Sequence, residues 1–280
     1  MTEESIRGEV WKVVLPLERP IGTSVGPFRE VNAVVVRLRD EAGTEGCGYA
    51  LAFDAPSFEH LAQSAKRLLA EQQGKLTQFI RIERLADEGG DQMVRKAVAA
   101  ISLAGWDLVG RRSGKACADL WGRPPQRASV PVYGSALFLD RSQDELVEEA
   151  RALRKSGFAF VKMRGGQSPV EDAARFDAVR SVYPEPHCVA IDFFFHSDVA
   201  RTKEFLRRIS AAPMWVEDPV PYEIIHQFEA ADRIAAGEKC GLAAELLDLR
   251  RGGIRRLILD VEYLGGPMRF LETARTLQAL

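Results

Sequence analysis

Three acidic residues in the second half of the chain each follow a short apolar run: Asp192, Glu217 and Glu238. A single acid in such a place is more often a helix cap or an ion-pair partner, so the prediction depends on the set of three. If the runs are neighbouring strands, three negative charges meet and repel one another unless a cation lies between them. Ligation by oxygen alone favours a hard ion, and Mg²⁺ keeps positions open for water and substrate. The pattern therefore predicts a magnesium site with these three acids as ligands.

Two basic residues and a fourth acid end similar runs. These are Lys162, Arg164 and Asp260. A guanidinium is effectively always protonated, so Arg164 is a poor general base, although it can clamp a carboxylate or stabilise an anion. Lys162 can act as a base only if a neighbouring cation lowers its pKa. The alternative is that both cations simply form ion pairs with the acids beside them.

The apolar runs alternate with segments whose apolar residues recur at helical spacing, such as 143–155 and 170–182. The runs themselves lie at residues 130–133, 158–163, 188–193, 214–216, 233–236 and 257–261. Continuous apolar strands that alternate with helices predict βα units around a parallel sheet covered on both faces. Their repeat of about 20 to 30 residues suits a (β/α) barrel, whose functional side chains project from the carboxyl ends of the strands. The acids and bases named above stand at those ends.

The first half of the chain has a different pattern. Strand signals at 10–15 and 32–38 precede helical periodicity from Pro56, which predicts an α+β unit. Because the pattern changes again beyond Pro124-Pro125, we predict two domains, residues 1–127 and 128–280. The second has six of the eight βα units of a closed barrel, so we interpret the chain as C-terminally truncated.

The strand-end motifs resemble those of the enolase superfamily, and within it the mandelate racemase type. Trp215-Val216-Glu217-Asp218-Pro219 and Ile234-Ala235-Ala236-Gly237-Glu238 are similar to the metal motifs of the fourth and fifth strands. Lys162-Met163-Arg164 resembles the second-strand Lys-x-Lys or Lys-x-Arg motif. Asp260 followed by Gly265-Gly266 resembles the sixth-strand Asp and its glycine pair.

The first half of the chain carries the same resemblance. Residues 99–110 are similar to the family's long helix before the barrel, and Leu120-Trp121-Gly122 is similar to the Leu-Leu-Gly that ends this region. Residues 19–26 resemble the capping loop over the active site, which places Thr23 and Ser24 as substrate-binding residues. The resemblance covers essentially the whole chain.

The resemblance implies an α+β capping domain followed by a TIM-type (β/α) barrel, in a homo-oligomeric lyase or isomerase. A Mg²⁺ ion would support removal of the proton α to the carboxylate of a small-molecule substrate, by way of an enolate. The outcome would be dehydration of an acid sugar or racemisation of a 2-hydroxy acid. Lys162, Arg164 and Asp260 would be the catalytic residues.

Two departures from the family pattern support an alternative. Phe194 stands where the family usually has Asn or His, and its side chain can neither hydrogen-bond nor transfer a proton. The family's strand-seven His, which Asp260 would orient, has no equivalent in the sequence. The alternative is a non-catalytic paralogue that keeps a metal- or ligand-binding fold or an assembly role.

Composition restricts the partners and the compartment. A net charge of −2 gives no electrostatic attraction to nucleic acid or membrane, and no apolar stretch is long enough to span a bilayer. The N-terminus has no basic segment followed by an apolar run, so no signal peptide is predicted. The four cysteines are far apart and are predicted to be reduced thiols in or near the core. We therefore predict a cytoplasmic protein.

Overall fold

The computed structural model describes residues 5–71, 74–75, 81–87, 90–121, 129–228 and 231–279. The predicted domain boundary at residues 127 and 128, together with Gly122 and Pro124-Pro125 of the motifs, lies outside the described residues.

An antiparallel sheet covered by helices forms the first half of the chain. Its strands are β1 (Ser5–Thr23), β2 (Gly26–Arg39), β3 (Glu45–Ala52) and β4 (Gly74–Lys75), in the order β3-β2-β1-β4. The helices are α1 (Ala55–Glu71), α2 (Gln92–Ser113) and α3 (Cys117–Leu120), with a 3-10 turn at Ile82–Asp87. Val34, Val36 and Leu38 alternate along β2 and are fully buried against α1 and α2, as expected for a strand with one covered face.

A parallel sheet with helices on its outer face forms the second half. Its strands, in sheet order, are β5 (Tyr133–Ser135), β6 (Phe160–Arg164), β7 (Val189–Asp192), β8 (Val216–Glu217), β9 (Ile234–Ala236) and β10 (Arg256–Leu257). The helices are α4 (Gln143–Lys155), α5 (Pro169–Val182), α6 (Val199–Arg208), α7 (Ala243–Arg251), α8 (Val261–Leu264) and α9 (Pro267–Gln278). Short 3-10 turns lie at Tyr222–Gln227 and Ala231–Arg233. The predicted fold class, a capping domain followed by six units of a TIM-type barrel, is confirmed.

The helix and strand boundaries follow local chemistry closely. α4 begins at its predicted residue because Ser142 and Glu145 form a reciprocal capping box. The first barrel strand begins at Tyr133 rather than at the predicted residue 130, because pairing with β6 starts there. Val130 is correspondingly 70% exposed.

Period-two alternation along β6 separates the core from the site. Val161 and Met163 are fully buried against the helices. Lys162 and Arg164 lie on the opposite face of the strand, where their side chains contact acids on β7 and β8. One short strand therefore contributes both to the core and to the chemistry.

The two halves are joined by buried polar contacts. Glu83, which is 5% exposed, accepts hydrogen bonds from the Met268 and Arg269 amides in the first turn of α9. The ammonium of Lys96 on α2 lies 3.0 Å from a carboxylate oxygen of Glu262 on α8. Because these groups are buried and paired, the capping domain is fixed against one side of the sheet.

Several smaller expectations can be compared with the structure. Among the described residues, no helix is long and apolar enough to cross a membrane. All four cysteines are free, and Cys188 and Cys240 are buried as predicted, but Cys47 is exposed on β3 because its side chain lies on the uncovered face of the sheet. The homo-oligomer and the cytoplasmic location stay predictions.

Gly48 on β3 allows α2 to pack directly against the strand. A Cβ atom at this position would lie 2.2 Å from the Ala100 carbonyl oxygen and 2.6 Å from the Ala104 amide nitrogen. We expect Gly48→Ala to lower the free energy of unfolding by about 1–3 kcal/mol, because backbone atoms of the helix must move. Urea denaturation measures this change.

The control for this substitution is Gly252→Ala. Gly252 has a φ of −70°, and a Cβ there would lie no closer than 3.3 Å to the nearest atom, the Asp248 carbonyl oxygen. We expect this variant to stay within about 0.5 kcal/mol of the parent. Equal denaturation midpoints for the two variants would show that the close approach of α2 and β3 is not a constraint.

Candidate metal centre

Three carboxylates meet at the carboxyl ends of neighbouring strands. Asp192 is the last residue of β7, Glu217 is the last residue of β8, and Glu238 lies two residues beyond β9. Each offers an oxygen, and these oxygens all lie within 4.8 Å of one another. Asp192 and Glu217 are 0% and 1% exposed. The structure thus brings together all three acids that the sequence predicts as ligands.

Parallel pairing explains why they meet. Arg164 is opposite Asp192 in the β6–β7 register, and Asp192 is opposite Glu217 in the β7–β8 register. Residues that are opposite in a parallel sheet project from the same face at the same level. Arg164, Asp192 and Glu217 therefore form one row across three strands, and Glu238 continues it after Gly237.

Lys162 and Arg164 neutralise the acids. The Lys162 ammonium lies 2.5 Å from Glu217 Oε1 and 3.2 Å from Asp192 Oδ2, and Arg164 Nη1 donates to the same Asp192 oxygen. Trp215 Nε1 donates to the other Glu217 oxygen at 2.9 Å. Among the described residues, Glu238 has no ion-pair or hydrogen-bond partner.

Burial and mutual repulsion change the proton affinity of the acids. Burial and the charges of Asp192 and Glu217 raise the pKa of Glu238 to about 7. Burial and the charge of Asp192 raise the pKa of Glu217 as well, against the opposing effect of Lys162. Burial lowers the pKa of Lys162, but the charges of Glu217 and Asp192 together raise it above its ordinary value. Glu217 and Glu238 therefore keep their protons to a higher pH than isolated glutamates do.

A strained backbone surrounds the cluster. Phe194, Phe195 and Asp218 have φ values of 46°, 65° and 38°, a region that bulky residues rarely adopt. The Phe194 amide donates to Asp192 Oδ1 at 2.9 Å, so the backbone of this residue supplies a hydrogen bond that its side chain cannot. The Phe195 amide donates to the Asp218 carbonyl, which ties the loops after β7 and β8 together. Such strain is concentrated at functional sites.

Asp218 is buried beside the cluster. Its Oδ1 accepts from the Gly237 amide at 3.3 Å, and its side chain is 0% exposed. Burial and the charges of Glu217 and Glu238 raise its pKa to about 8. Asp218 therefore holds its proton more tightly than an exposed aspartate does.

Asp260 lies between the sixth barrel strand and the helix that follows it. β10 ends at Leu257, and Asp260 caps α8, where its Oδ1 accepts from the Glu262 and Tyr263 amides at 2.7 and 3.2 Å. Its side chain accepts hydrogen bonds from amides in the first turn of the helix that have no partner within the helix, which is a common role of an acid in a βα loop. Its catalytic role stays a prediction.

The predicted capping loop reaches the barrel. Thr23 ends β1 and lines a cleft of about 460 Å³ that also contains Arg164 and Glu238. Ser24 lies in the turn that follows, and a Cβ atom on Gly166, in the loop after β6, would be 2.8 Å from the Ser24 Cβ. Thr23 therefore lines the same cleft as the cluster and Ser24 lies against the loop after β6, and their binding role stays a prediction.

The structure adds residues that the sequence did not single out. Lys239 lies over the rings of Phe194 and Phe195, at 4.3 and 4.5 Å from their centroids, in the cleft beside Glu238. Trp215 could have been found, because it is two residues before Glu217 and so shares its face of the strand. No local signal marks Lys239, because its aromatic partners are about 45 residues away in sequence.

Comparison with known families gives two adjacent matches. Residues 5–122 match the family model for the mandelate racemase / muconate lactonizing enzyme N-terminal domain. Residues 145–280 match the model described as enolase C-terminal domain-like.

Similar curated proteins are dehydratases, cycloisomerases and racemases. The chain is 26% identical over 278 residues to L-talarate/galactarate dehydratase of Salmonella typhimurium, covering 92% of this chain and 69% of that protein. It is 24% identical over 291 residues to 3,6-anhydro-alpha-L-galactonate cycloisomerase of Streptomyces coelicolor, covering 99% and 80%. It is 25% identical over 219 residues to N-succinyl-L-Arg/Lys racemase of Bacillus cereus, covering 75% and 58%.

The fold is also found in solved structures. The crystal structure of the Salmonella typhimurium dehydratase, liganded with Mg and L-lyxarohydroxamate, superposes with a TM-score of 0.83 at 25% identity. The match covers 99% of this chain and 76% of that chain.

We expect Mg²⁺ to stabilise the protein, and more so as the pH rises. Because the folded-state pKa of Glu238 is about 7, above its ordinary value, the metal-free protein loses stability as the pH rises from about 4.5 to 7. A bound cation removes the repulsion that causes this loss, and it requires the deprotonated acid. At saturating Mg²⁺ the melting temperature should rise by roughly 5–10 °C at pH 8, and by less at pH 6.

Glu238→Gln is the sharpest variant for this test. Because Glu238 has no partner in the described residues, its replacement should raise the metal-free melting temperature at pH 8 while abolishing the response to Mg²⁺. Glu148→Gln, an exposed acid on α4, is the control and should respond as the parent does. An unchanged Mg²⁺ response in Glu238→Gln would exclude Glu238 as a ligand.

Proposed function

The chain belongs to the mandelate racemase / muconate lactonizing enzyme family of the enolase superfamily, and we propose that it uses Mg²⁺ to remove the proton α to a carboxylate. The observation that carries this proposal is the convergence of Asp192, Glu217 and Glu238 beside Lys162. A base next to an all-oxygen cation site is the arrangement that this reaction requires.

The donor set fits Mg²⁺. Oxygens bound to one Mg²⁺ lie at most about 4.2 Å apart, twice the usual metal–oxygen distance, so small side-chain rotations would bring the three acids into range. Burial, and then the charges of Asp192 and Glu217, raise the pKa of Glu238, so a bound cation would offset negative charge that the buried cluster now holds a proton to reduce. When bound, the ion supplies Lewis-acid stabilisation of the negative charge that develops on the substrate carboxylate.

We assign Lys162 as the group that takes the proton. Its ammonium is now stabilised by Glu217 and Asp192, which is why its pKa is raised. Once these acids hold a cation they would no longer stabilise the ammonium, and loss of that attraction lowers the pKa of Lys162 toward that of a base. The pair of electrons released from the C–H bond then moves into the carboxylate of the substrate as Lys162 Nζ accepts the proton.

Arg164 has a different proposed role. Its guanidinium cannot act as a base, but it lies at the same level as the ligands and lines the cleft. It can hold one oxygen of the substrate carboxylate once Asp192 is occupied by a cation. Thr23 and Ser24, in the turn above, would contact the rest of the substrate.

Two outcomes of the common first step fit the family. Loss of a β-hydroxyl dehydrates an acid sugar, and return of a proton to the opposite face racemises a 2-hydroxy acid. The similarity to a talarate/galactarate dehydratase supports the first outcome, and the similarity to an amino-acid-derivative racemase supports the second.

One observation favours a second candidate function, ligand binding without turnover. Lys162 and Arg164 are both engaged in ion pairs with the acids, so neither basic side chain is free in the described arrangement. A non-catalytic paralogue with this site would still bind a cation and a carboxylate.

Exchange of the α-proton with deuterium separates these functions. With Mg²⁺ and a 2-hydroxy acid in D₂O, NMR should show loss of the α-proton signal for the parent protein. Lys162→Met should lower the exchange rate at least about 100-fold, the usual contribution of a general base. Arg164→Lys should raise it, because a lysine can lose its proton.

The control for the exchange experiment is Lys155→Met, an exposed lysine at the end of α4. It should exchange at the parental rate. If the parent binds both ligands and shows no exchange at any pH from 6 to 10, the non-catalytic function is correct.

A further inference from the structure

The uncovered face of the capping sheet places two arginines directly opposite each other. Arg7 on β1 is opposite Arg39 on β2 in the antiparallel register, so their side chains project from the same face. Both side chains are exposed. Directly opposite side chains have Cβ atoms about 5 Å apart, and like charges at this separation destabilise a sheet. An anion between the two guanidinium groups would remove that repulsion.

The nearest carboxylates are held by a third arginine. Glu9 Oε2 lies 2.7 Å from Arg37 Nη2, and Glu45 Oε1 lies 3.2 Å from Arg37 Nη1. Arg39 Nε lies 3.9 Å from that same Glu45 oxygen, at the limit of an ion pair, and Arg7 has no ion-pair partner among the described residues. The two opposite arginines therefore keep most of their capacity to bind an anion.

Arg7 and Arg39 line a cavity of about 520 Å³ at this end of the sheet. Asp40 also lines it, but its carboxylate is buried and lies 3.5 Å from Arg112 Nε. Glu41, on the same lining, is likewise engaged by a partner. The residues that line this cavity are different from those that line the cleft over the metal centre. The cavity is therefore separate from the metal centre.

We infer that this cavity binds a phosphate group between Arg7 and Arg39. A guanidinium is a planar fork of N–H donors that matches two phosphate oxygens. A phosphate dianion offsets both positive charges, whereas a single carboxylate offsets only one. The volume exceeds that of one phosphate, so the ligand class is inorganic phosphate or the phosphate monoester of a small metabolite. The inference does not depend on the proposed function, because the cavity lies outside the cleft.

Calorimetric titration of the full chain with potassium phosphate at pH 8 tests this inference. The titration is made without Mg²⁺, and potassium chloride keeps the ionic strength constant. We expect saturable binding at a single site per chain and a rise in melting temperature, because the ligand binds the folded chain. Potassium chloride at the same ionic strength should produce neither effect. An equal response to both salts would mean that phosphate only screens the charges, and would overturn the inference.

Arg7→Gln and Arg39→Gln each remove one of the two forks. Each variant should bind phosphate at least about tenfold more weakly, because charge-assisted hydrogen bonds are lost. Without phosphate, each should melt at or above the parental temperature, since the repulsion between the opposite arginines is relieved. A lower melting temperature in both variants would contradict the unfavourable pairing on which the inference rests.

Arg29→Gln is the matched control. Arg29 is also an exposed arginine on β2, but it does not line this cavity. It should bind phosphate with the parental affinity. An equal loss in Arg29→Gln and Arg7→Gln would mean that phosphate responds to overall charge. Loss of binding in Arg164→Gln with retention in Arg7→Gln would place the phosphate at the metal centre. Either result would overturn the inference.

Glucose 6-phosphate distinguishes the two sources of the phosphate group. If it binds at least as tightly as inorganic phosphate and loses affinity in Arg7→Gln, the cavity takes phosphate monoesters. If inorganic phosphate alone binds, with the same loss in Arg7→Gln, the ligand is the free ion. Both results support a phosphate site at the two arginines. Absence of binding by both probes would overturn it.

Discussion

Electrostatic repulsion among three buried carboxylates is the constraint on which the site depends. Asp192, Glu217 and Glu238 can share one small volume only if positive charge or bound protons offset their repulsion, because burial weakens the screening by water. In the described structure Lys162 and Arg164 supply that charge. The same two residues are the basic groups to which the proposed reaction assigns roles. The same basic side chains therefore neutralise the acids and are proposed to act in the reaction. A cation that replaced Lys162 in its ion pairs would also leave its amine able to accept a proton.

The position of the capping sheet is a second constraint, and it is met by buried contacts far from the cluster. Gly46 and Gly48 allow α2 to lie directly on β3. α2 in turn carries Lys96, which pairs with Glu262 on the barrel side. Glu83 holds the first turn of α9. Since these contacts fix the sheet relative to the barrel, and most residues that line the cleft belong to strands and helices, the cleft between them has a defined shape.

The elements of the fold and the metal cluster were predictable because each has a local signal. Alternating apolar runs and helical periodicity locate the strands and helices, and parallel pairing requires the strand-end acids to meet. Asp260 shows what the sequence leaves open: an acid after an apolar run is equally suited to cap a helix, and the hydrogen bonds from the Glu262 and Tyr263 amides, which show that it does so, are visible only in the structure. The contact between the rings of Phe28 and Phe53, whose centroids lie 5.7 Å apart, was also not predictable, because the two residues come from separate segments.

The turn that covers the cleft is tethered by few groups, and this has a kinetic consequence. The Gly22 amide donates to Asp140 at 2.9 Å, and the Gly22 carbonyl accepts from the Leu139 amide at 2.9 Å. Arg19 pairs with Glu145 at 3.0 Å on the outer side of the same loop. One backbone hydrogen bond, one amide-to-carboxylate hydrogen bond and the solvent-screened ion pairs of Arg19 with Glu145 and Asp140 are a small barrier to movement of this turn. Salt weakens the exposed ion pair of Arg19, so a bound molecule should dissociate faster as the ionic strength rises. The buried contacts that set the shape of the cleft should not change.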